Sequence, residues 1–344
     1  MSLTVVQRFY ELAKQEAEAP ALGVTNGEEF HSLPWWFIKS KAKHFGLGLL
    51  DAQAREGEYF YLLSSAQPAW IYAELGALTM GLRTLPLPRE IPWERAEDLF
   101  RRYPPAFYFL EAGDWPRFRP LLGKIKGLRR IITPEEAPDL GRDSAGLVAS
   151  FRQVFNQGIR SEAKHHASYR RIRQSLEEDR EMSPLRVAPD GSWEERPLRF
   201  GEVNEVCARI SHAMGPGKAR RVLSTPDLSR SFARIACLYW PIFAGLQSLL
   251  LPAGTDWAAS LRRFRPEAAF LRQADAELLE RHCAGGGSPP QLGFFRRRAL
   301  RARLGKRLRC LIGEGPFSPS LEALAGALGL RLLAASPSAA NFLL

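Results

Sequence analysis

The sequence predicts an α/β fold built on parallel-rich sheets. Short runs such as Tyr59–Leu63 and Ala106–Leu110 are almost wholly apolar, without the polar alternation of a half-exposed strand. Strands of that kind need cover on both faces. Helical stretches of ten residues or so separate them, long enough for parallel crossovers. The composition fits: of 344 residues, 45% are hydrophobic and 25% charged. That supports a real core and excludes a disordered chain, a fibre and a disulfide-stapled miniature.

The elements follow in order. Val5–Ala17 has helical apolar spacing at Val5, Phe9, Leu12 and Ala13. Ala21–Thr25 and Glu29–Leu33 flank Asn26-Gly27, a strong hairpin signal. Pro34 opens a helix running to about Leu50, at a position where a missing N–H costs nothing. Tyr59–Leu63 is a strand and Pro68–Gly81 an apolar helix ended by glycine. Thr84–Leu87, Ala106–Leu110 and Arg129–Ile132 read as strands, with helices at Trp93–Tyr103 and Trp115–Ile125. The stretch Asn156–Glu181, rich in Arg and poor in apolar residues, reads as an exposed connecting segment. The rhythm then resumes. Helices are predicted over Leu228–Gly245, Trp257–Phe264, Ala274–His282, Phe294–Leu304 and Leu321–Leu328. Strands are predicted over Ser248–Leu251, Ala268–Leu271, Leu308–Ile312 and Leu330–Ala334. The run Gly285–Pro290 is a loop.

Charge and motifs narrow the chemistry. Lys+Arg is 48 against Asp+Glu 37, a net +11, and only nine of the cations are Lys, leaving 39 Arg. Eight cations and no acid fall within Arg296–Arg309. A solvated basic helix face is the simple account of that run; binding of an anion, nucleic acid or an acidic lipid surface is the alternative. Cys207, Cys237, Cys283 and Cys310 form no C-x-x-C pair and no zinc-like cluster with His, so they read as buried thiols in a reducing cytoplasm. His165-His166 reads as surface. The N-terminus lacks the apolar core of a signal peptide, and the longest apolar run, Ile235–Leu246, is too short to span a bilayer. No G-x-x-x-x-G-K-[ST], G-x-G-x-x-G or G-x-S-x-G motif occurs. Pro189-Asp190-Gly191-Ser192 is the best loop for a phosphate, but Trp193, Glu194 and Glu195 follow it, and two carboxylates there repel a triphosphate.

Several stretches together resemble the N-terminal part of the AMP-forming acyl-CoA synthetases, most of all the long-chain fatty-acid branch. Thr4–Leu22 resembles the family's opening helix. Gly57–Leu87 resembles its strand, turn and Trp-bearing helix leading to a glycine and the next strand. Leu304–Leu333 resembles the lead-in to its glycine-glycine-alanine-proline adenine loop. The resemblance implies two Rossmann-like α/β subdomains: residues 56–200 in one, and residues 1–55 with 201–344 in the other. The chain ends before the family's small barrel and mobile C-terminal domain.

The resemblance also implies where chemistry should sit, and the sequence departs from it there. The family's phosphate loop ends in Pro-Lys-Gly; its counterpart is Pro189–Arg199, where Gly191, Ser192 and Pro197 match and Leu198 stands at the lysine. Ser229 stands where the family has a histidine. The adenine loop survives in part as Gly313, Glu314, Gly315 and Pro316. Ser336–Ala340 replaces the Tyr-Gly-x-Thr-Glu motif, with Ala340 at the magnesium-binding glutamate. One lost electrostatic donor commonly costs about 100- to 1000-fold in rate. The expectation is therefore a catalytically degenerate homologue with vestigial ligand-binding residues, no catalytic residue and no metal site. ATP or AMP with Mg is expected only if family activity persists. Its implied partners are a fatty-acyl or adenylate-like small molecule, a second copy of the chain or an active paralogue. Fatty-acid–CoA ligase activity within a complex is one alternative, and a basic nucleic-acid or membrane-surface binder using Arg296–Arg309 another, with nucleic acid the less expected partner of the two.

Overall fold

The computed structural model describes residues 3–25, 29–89, 91–135, 146–187, 192–215, 220–225, 227–252, 254–284, 294–315 and 317–335. The chain opens with α1 (Val5–Gln15), β1 (Pro20–Thr25), β2 (Phe30–Pro34), α2 (Trp35–Asp51), β3 (Tyr59–Leu63) and α3 (Pro68–Thr79). There follow β4 (Arg83–Pro86), α4 (Trp93–Arg102), β5 (Pro105–Leu110), α5 (Trp115–Phe118), β6 (Arg130–Thr133) and β7 (Val148–Ser150). Next come α6 (Phe151–Arg160), α7 (Glu162–Gln174), β8 (Glu181–Ser183), β9 (Arg186–Val187), β10 (Trp193–Glu194) and β11 (Leu198–Arg199). Then come α8 (Phe200–Met214), β12 (Arg221–Leu223), α9 (Ser231–Arg234), α10 (Trp240–Ala244), β13 (Gln247–Leu249) and α11 (Trp257–Phe264). The last elements are β14 (Ala268–Leu271), α12 (Gln273–Ala284), α13 (Phe294–Leu304), β15 (Cys310–Glu314), α14 (Pro319–Ala327) and β16 (Arg331–Ala335). The turn predicted at Asn26-Gly27 and the loop Gly285–Pro290 lie outside the described residues.

The chain divides into two compact units. The first comprises Met1–Ala19, Pro34–Val203 and Asp227–Ser231; the second comprises Pro20–Leu33, Asn204–Pro226 and Phe232–Leu344. Residues 34–55, expected with the C-terminal half, cluster here with the first unit. Helix α2 buries Ile38, Ala42, Phe45 and Leu49 within the first unit, where it packs on α3 and α6. Only the strand pair β1 and β2, from the expected N-terminal share, belongs to the second.

The first unit carries a five-stranded sheet in the order β4-β3-β5-β6-β7, parallel throughout. Tyr61, Leu63, Leu85, Phe100, Tyr108 and Phe118 fill one of its cores. Elsewhere in the unit Phe45 stacks on Phe151 with ring centroids 4.9 Å apart. Two small antiparallel pairs, β8 with β11 and β9 with β10, also lie in this unit.

The expectation of an exposed connector over Asn156–Glu181 is corrected. The segment holds the end of α6, all of α7 and the start of β8. Tyr169, Ile172 and Leu176 are buried at i, i+3 and i+7, a single narrow apolar stripe. A helix that packs on its neighbours through one narrow stripe needs no more than that, so low apolar content misleads there. The Tyr169 hydroxyl meets that of Tyr10, and the Arg173 guanidinium lies 4.4 Å over the Tyr10 ring. His165 is not a free surface residue either: its Nε2 is 3.0 Å from Asp51 Oδ1.

The second unit carries a seven-stranded sheet in the order β16-β15-β14-β12-β13-β1-β2. The pairs from β16 through to β1 are all parallel. Leu223, Leu249, Leu261, Ala269, Leu311 and Leu324 form its core. The continuous helix predicted over Leu228–Gly245 is interrupted by a π-helical turn at Ile235–Tyr239. Pro241 explains this: it has no N–H for the carbonyl four residues back, and its ring crowds that carbonyl. The orphaned Cys237 carbonyl instead accepts from Ser248 Oγ at 2.6 Å. Gly245, at φ 68°, then ends α10 in the left-handed region. Among the described residues there is no closed barrel, and no helix is long and apolar enough to cross a membrane.

Candidate functional site

Parallel sheets bind ligands outside the carboxyl ends of their strands, where the strand order reverses. In the second unit that point is β12, whose neighbours are β13 on one side and β14 on the other. Ser224 and Thr225 leave β12 there, Leu251 and Pro252 follow β13, and Arg272 follows β14. Together with Thr255, Trp257 and Phe270 they line a narrow cleft. Thr255, Trp257 and Arg272 also line a cavity of about 510 Å³ whose wall includes Leu279, Leu300 and Leu304, with Arg262 and Arg303 beside them.

Local chemistry holds these groups in place. Trp257 donates its indole N–H to the Phe270 carbonyl at 2.9 Å. Arg272 grips Asp275 through Nε and Nη2 at 2.5 and 2.7 Å. Asp275 is almost fully buried, and the pairing raises the Arg272 pKa further above its already high value. Asp256 caps α11 by accepting from the Ala259 N–H at 3.0 Å. Ser224 donates its N–H to the Leu249 carbonyl at 2.9 Å. Burial pushes the Cys237 thiol up to about 12; a bond to Ser224 opposes this and the Glu314 carboxylate adds to it. Cys237 is thus an inert buried thiol rather than a nucleophile. Cys207 and Cys310 are buried free thiols as well.

The residues expected to bind ligand separate into two groups. Gly313, Glu314 and Gly315 stand together at the carboxyl end of β15, in the second unit. Gly313 is required for packing: a Cβ there would lie 2.5 Å from the Leu271 carbonyl and 2.8 Å from the Phe317 ring. Ser192 and Pro197 belong to the first unit. Ser192 precedes β10, and the Pro197 carbonyl accepts from Arg186 Nη2 at 3.0 Å. Gly191, Pro316 and Ala340 lie outside the described residues.

The hairpin of β9 and β10 does not fit a magnesium-bound triphosphate. Leu198, at the position of the family lysine, is 0% exposed and paired with Ser183 in the β8–β11 ladder. Its side chain is part of the core. Arg186, on β9, is buried and committed to Glu202 at 2.6 Å. Glu194 and Glu195 are exposed, and Glu195 pairs with Arg102. Ser229 is held by Asp227, which accepts from its N–H at 2.9 Å and its hydroxyl at 2.6 Å. Among the described residues no group of three or more His, Cys, Asp or Glu side chains is placed to hold a metal ion.

Sequence reasoning missed Ser224, Thr225 and Arg272. The first two follow β12, a strand of three residues with no apolar run of its own to announce it. Arg272 is one of 39 arginines, and only its place after β14 distinguishes it.

No protein-family model matches the chain, and no curated protein matches it. Solved structures match its fold. An anthranilate CoA ligase solved with anthranoyl-AMP superposes with a TM-score of 0.68 at 15% identity, over 96% of this chain and 58% of that one. The A-PCP didomain of carboxylic acid reductase from Segniliparus rugosus, solved with AMP, gives 0.74 at 16% identity, over 96% and 52%. A long-chain-fatty-acid-CoA ligase from Archaeoglobus fulgidus gives 0.70 at 12% identity, over 96% and 63%. The fold is that of the N-terminal portion of adenylate-forming acyl- and aryl-CoA ligases. The chain spans less than two thirds of the length of each of these three.

Proposed function

We propose that this protein binds an adenylate-like or fatty-acyl small molecule at the carboxyl edge of its second sheet and does not itself carry out adenylation. The observation that carries the reading is Leu198. A side chain with no exposed surface replaces the cation that a transferring phosphate needs, beside two exposed carboxylates. Electrostatic stabilisation of that kind is commonly the largest catalytic contribution, so its loss outweighs what the remaining groups supply. The cavity of about 510 Å³ lined by Thr255, Trp257 and Arg272, next to the narrow cleft at Ser224 and Thr225, supports retained binding. So does the fold's likeness to proteins solved with AMP or anthranoyl-AMP. Buried free thiols support a reducing, cytoplasmic setting. Fold outlives chemistry readily, because the core pattern sets one and the site the other.

The test is a thermal-shift panel of AMP, ATP, acyl-CoAs and fatty acids on the purified chain. AMP or a fatty-acyl compound is expected to raise Tm. Thr255→Trp, which fills the mouth shared by the cleft and the cavity, is expected to abolish the shift while leaving the unliganded Tm nearly unchanged. A panel with no shift for any compound contradicts the reading.

A further inference from the structure

The first unit holds a polar groove of about 800 Å³ that the proposed function does not use. One wall is a single helix face: Gln153, Asn156, Gln157 and Arg160 recur at i, i+3, i+4 and i+7, and Lys164 continues it into α7. Arg130, at the head of β6, faces it from a different element. The opposite side of α6 is fixed against α2. A Cβ on Gly158 would lie 1.7 Å from the His44 carbonyl oxygen, and one on Gly48 would lie 2.1 Å from that of Val154. The groove is therefore framed by a helix that cannot shift without losing that approach.

Its charges do not balance. Among the described residues Asp51 is the single carboxylate in the lining, and it is already engaged. It accepts from Gln157 Nε2 at 2.7 Å, sits 3.0 Å from His165 Nε2 and accepts from Lys164 Nζ at 3.1 Å. The Gln157 bond above all, opposed by burial and helped by His165 and Lys164, brings its carboxyl down to about 2. Lys164 is thereby neutralised. The Arg130 and Arg160 side chains have no hydrogen bond or ion pair among the described residues, and neither has the Asn156 amide. Two unneutralised guanidinium forks line one groove. A solvated helix face accounts for Arg160 but not for Arg130 turned to the same space.

We propose that this groove binds a small phosphate-bearing anion, with the Arg130 and Arg160 forks taking its oxygens and the Asn156 amide completing the contact. Planar guanidinium forks match phosphate geometry in bidentate fashion. The volume falls within the range of small-molecule pockets. The site is separate from the edge of the second sheet and does not depend on the reading given for it.

Calorimetry and phosphorus NMR with inorganic phosphate, pyrophosphate and citrate, on the full chain, test this. Pyrophosphate is expected to bind more tightly than citrate, and more weakly as salt rises. Arg130→Gln with Arg160→Gln should cost about ten-fold or more in affinity, the loss of a charge-assisted bond. Asn156→Asp, which adds a carboxylate without emptying the groove, should cost about as much, and serves if the double variant folds poorly. Thr255→Trp should leave pyrophosphate affinity unchanged, separating this site from the other edge. Absence of pyrophosphate binding by the wild-type chain, equal affinity in the arginine variant, or a preference for citrate overturns the proposal.

Discussion

The two sheets have the same kind of reversal point, and the chain treats them oppositely. In the first unit β3 lies between β4 and β5, so the crevice falls at Ser64, Ser65 and Glu111. The protein closes that crevice with its own charges. Glu111 accepts from the Ser65 N–H at 2.6 Å and the Ser64 hydroxyl at 2.9 Å. Arg89 reaches Glu111 at 2.9 Å, Asp114 at 3.1 Å and the Ser65 hydroxyl at 3.1 Å. Donors and acceptors there satisfy one another. In the second unit the corresponding narrow cleft shares Thr255, Trp257 and Arg272 with a cavity of about 510 Å³, and the Arg272–Asp275 ion pair lines that cavity. Topology creates a crevice in both; the side chains at the strand ends decide whether a ligand can use it.

The contrast predicts where mutations register. Glu111→Ala removes the acceptor that joins two loops and a guanidinium, and is expected to cost about 3 kcal/mol of stability, the upper end for stripping partners from a partly buried polar cluster. Denaturant unfolding measures it, and a loss below about 0.5 kcal/mol would reduce the cluster to an ordinary surface ion pair. Arg272→Gln leaves the buried Asp275 with a weaker partner, and is expected to cost about 1–2 kcal/mol while also lowering ligand shifts. A stability loss with unchanged ligand response would remove Arg272 from the site.

A smaller effect is pH dependence. Burial pushes the Glu111 carboxyl up, but the Ser65 N–H, the Ser64 hydroxyl and Arg89 together bring it below the ordinary carboxylate value. A carboxyl lowered by folding stabilises fully above its unfolded value of about 4.3. That contribution is lost as pH falls through its folded value. Glu111→Gln should therefore flatten the acid limb of stability below about pH 4.3 and leave the slope near neutrality unchanged. An unchanged acid limb would show that Glu111 is not the titrating group.

Much of the fold was legible, for identifiable reasons. Apolar strands such as Tyr59–Leu63 and Ala268–Leu271, and the helices Trp257–Phe264 and Phe294–Leu304, stand in the structure where their patterns place them. Failures had physical causes. Helix α7 buries only Tyr169 and Ile172, too few for composition to reveal. Pro241 interrupts, with a π-helical turn, a helix that its hydrophobicity alone makes look continuous. Strand β12, central in its sheet, is three residues long, because its neighbours supply the burial. Within the basic run, Arg301 is not merely solvated: its guanidinium donates to the Leu308 carbonyl in the segment leading to β15, a contact invisible without the fold. The candidate site was harder still. Resemblance pointed to Gly313, Glu314 and Gly315, which stand at the carboxyl end of β15, whereas Ser224, Thr225 and Arg272 become neighbours only once three strands are paired.

The central claim is ligand binding without adenyl transfer, and fatty-acid-dependent ATP–pyrophosphate exchange by the purified chain tests it most directly. The account predicts no exchange above background, with Leu198→Lys alone failing to create it because that side chain points into the core. Robust exchange by the wild-type chain, abolished when magnesium is chelated, would contradict it.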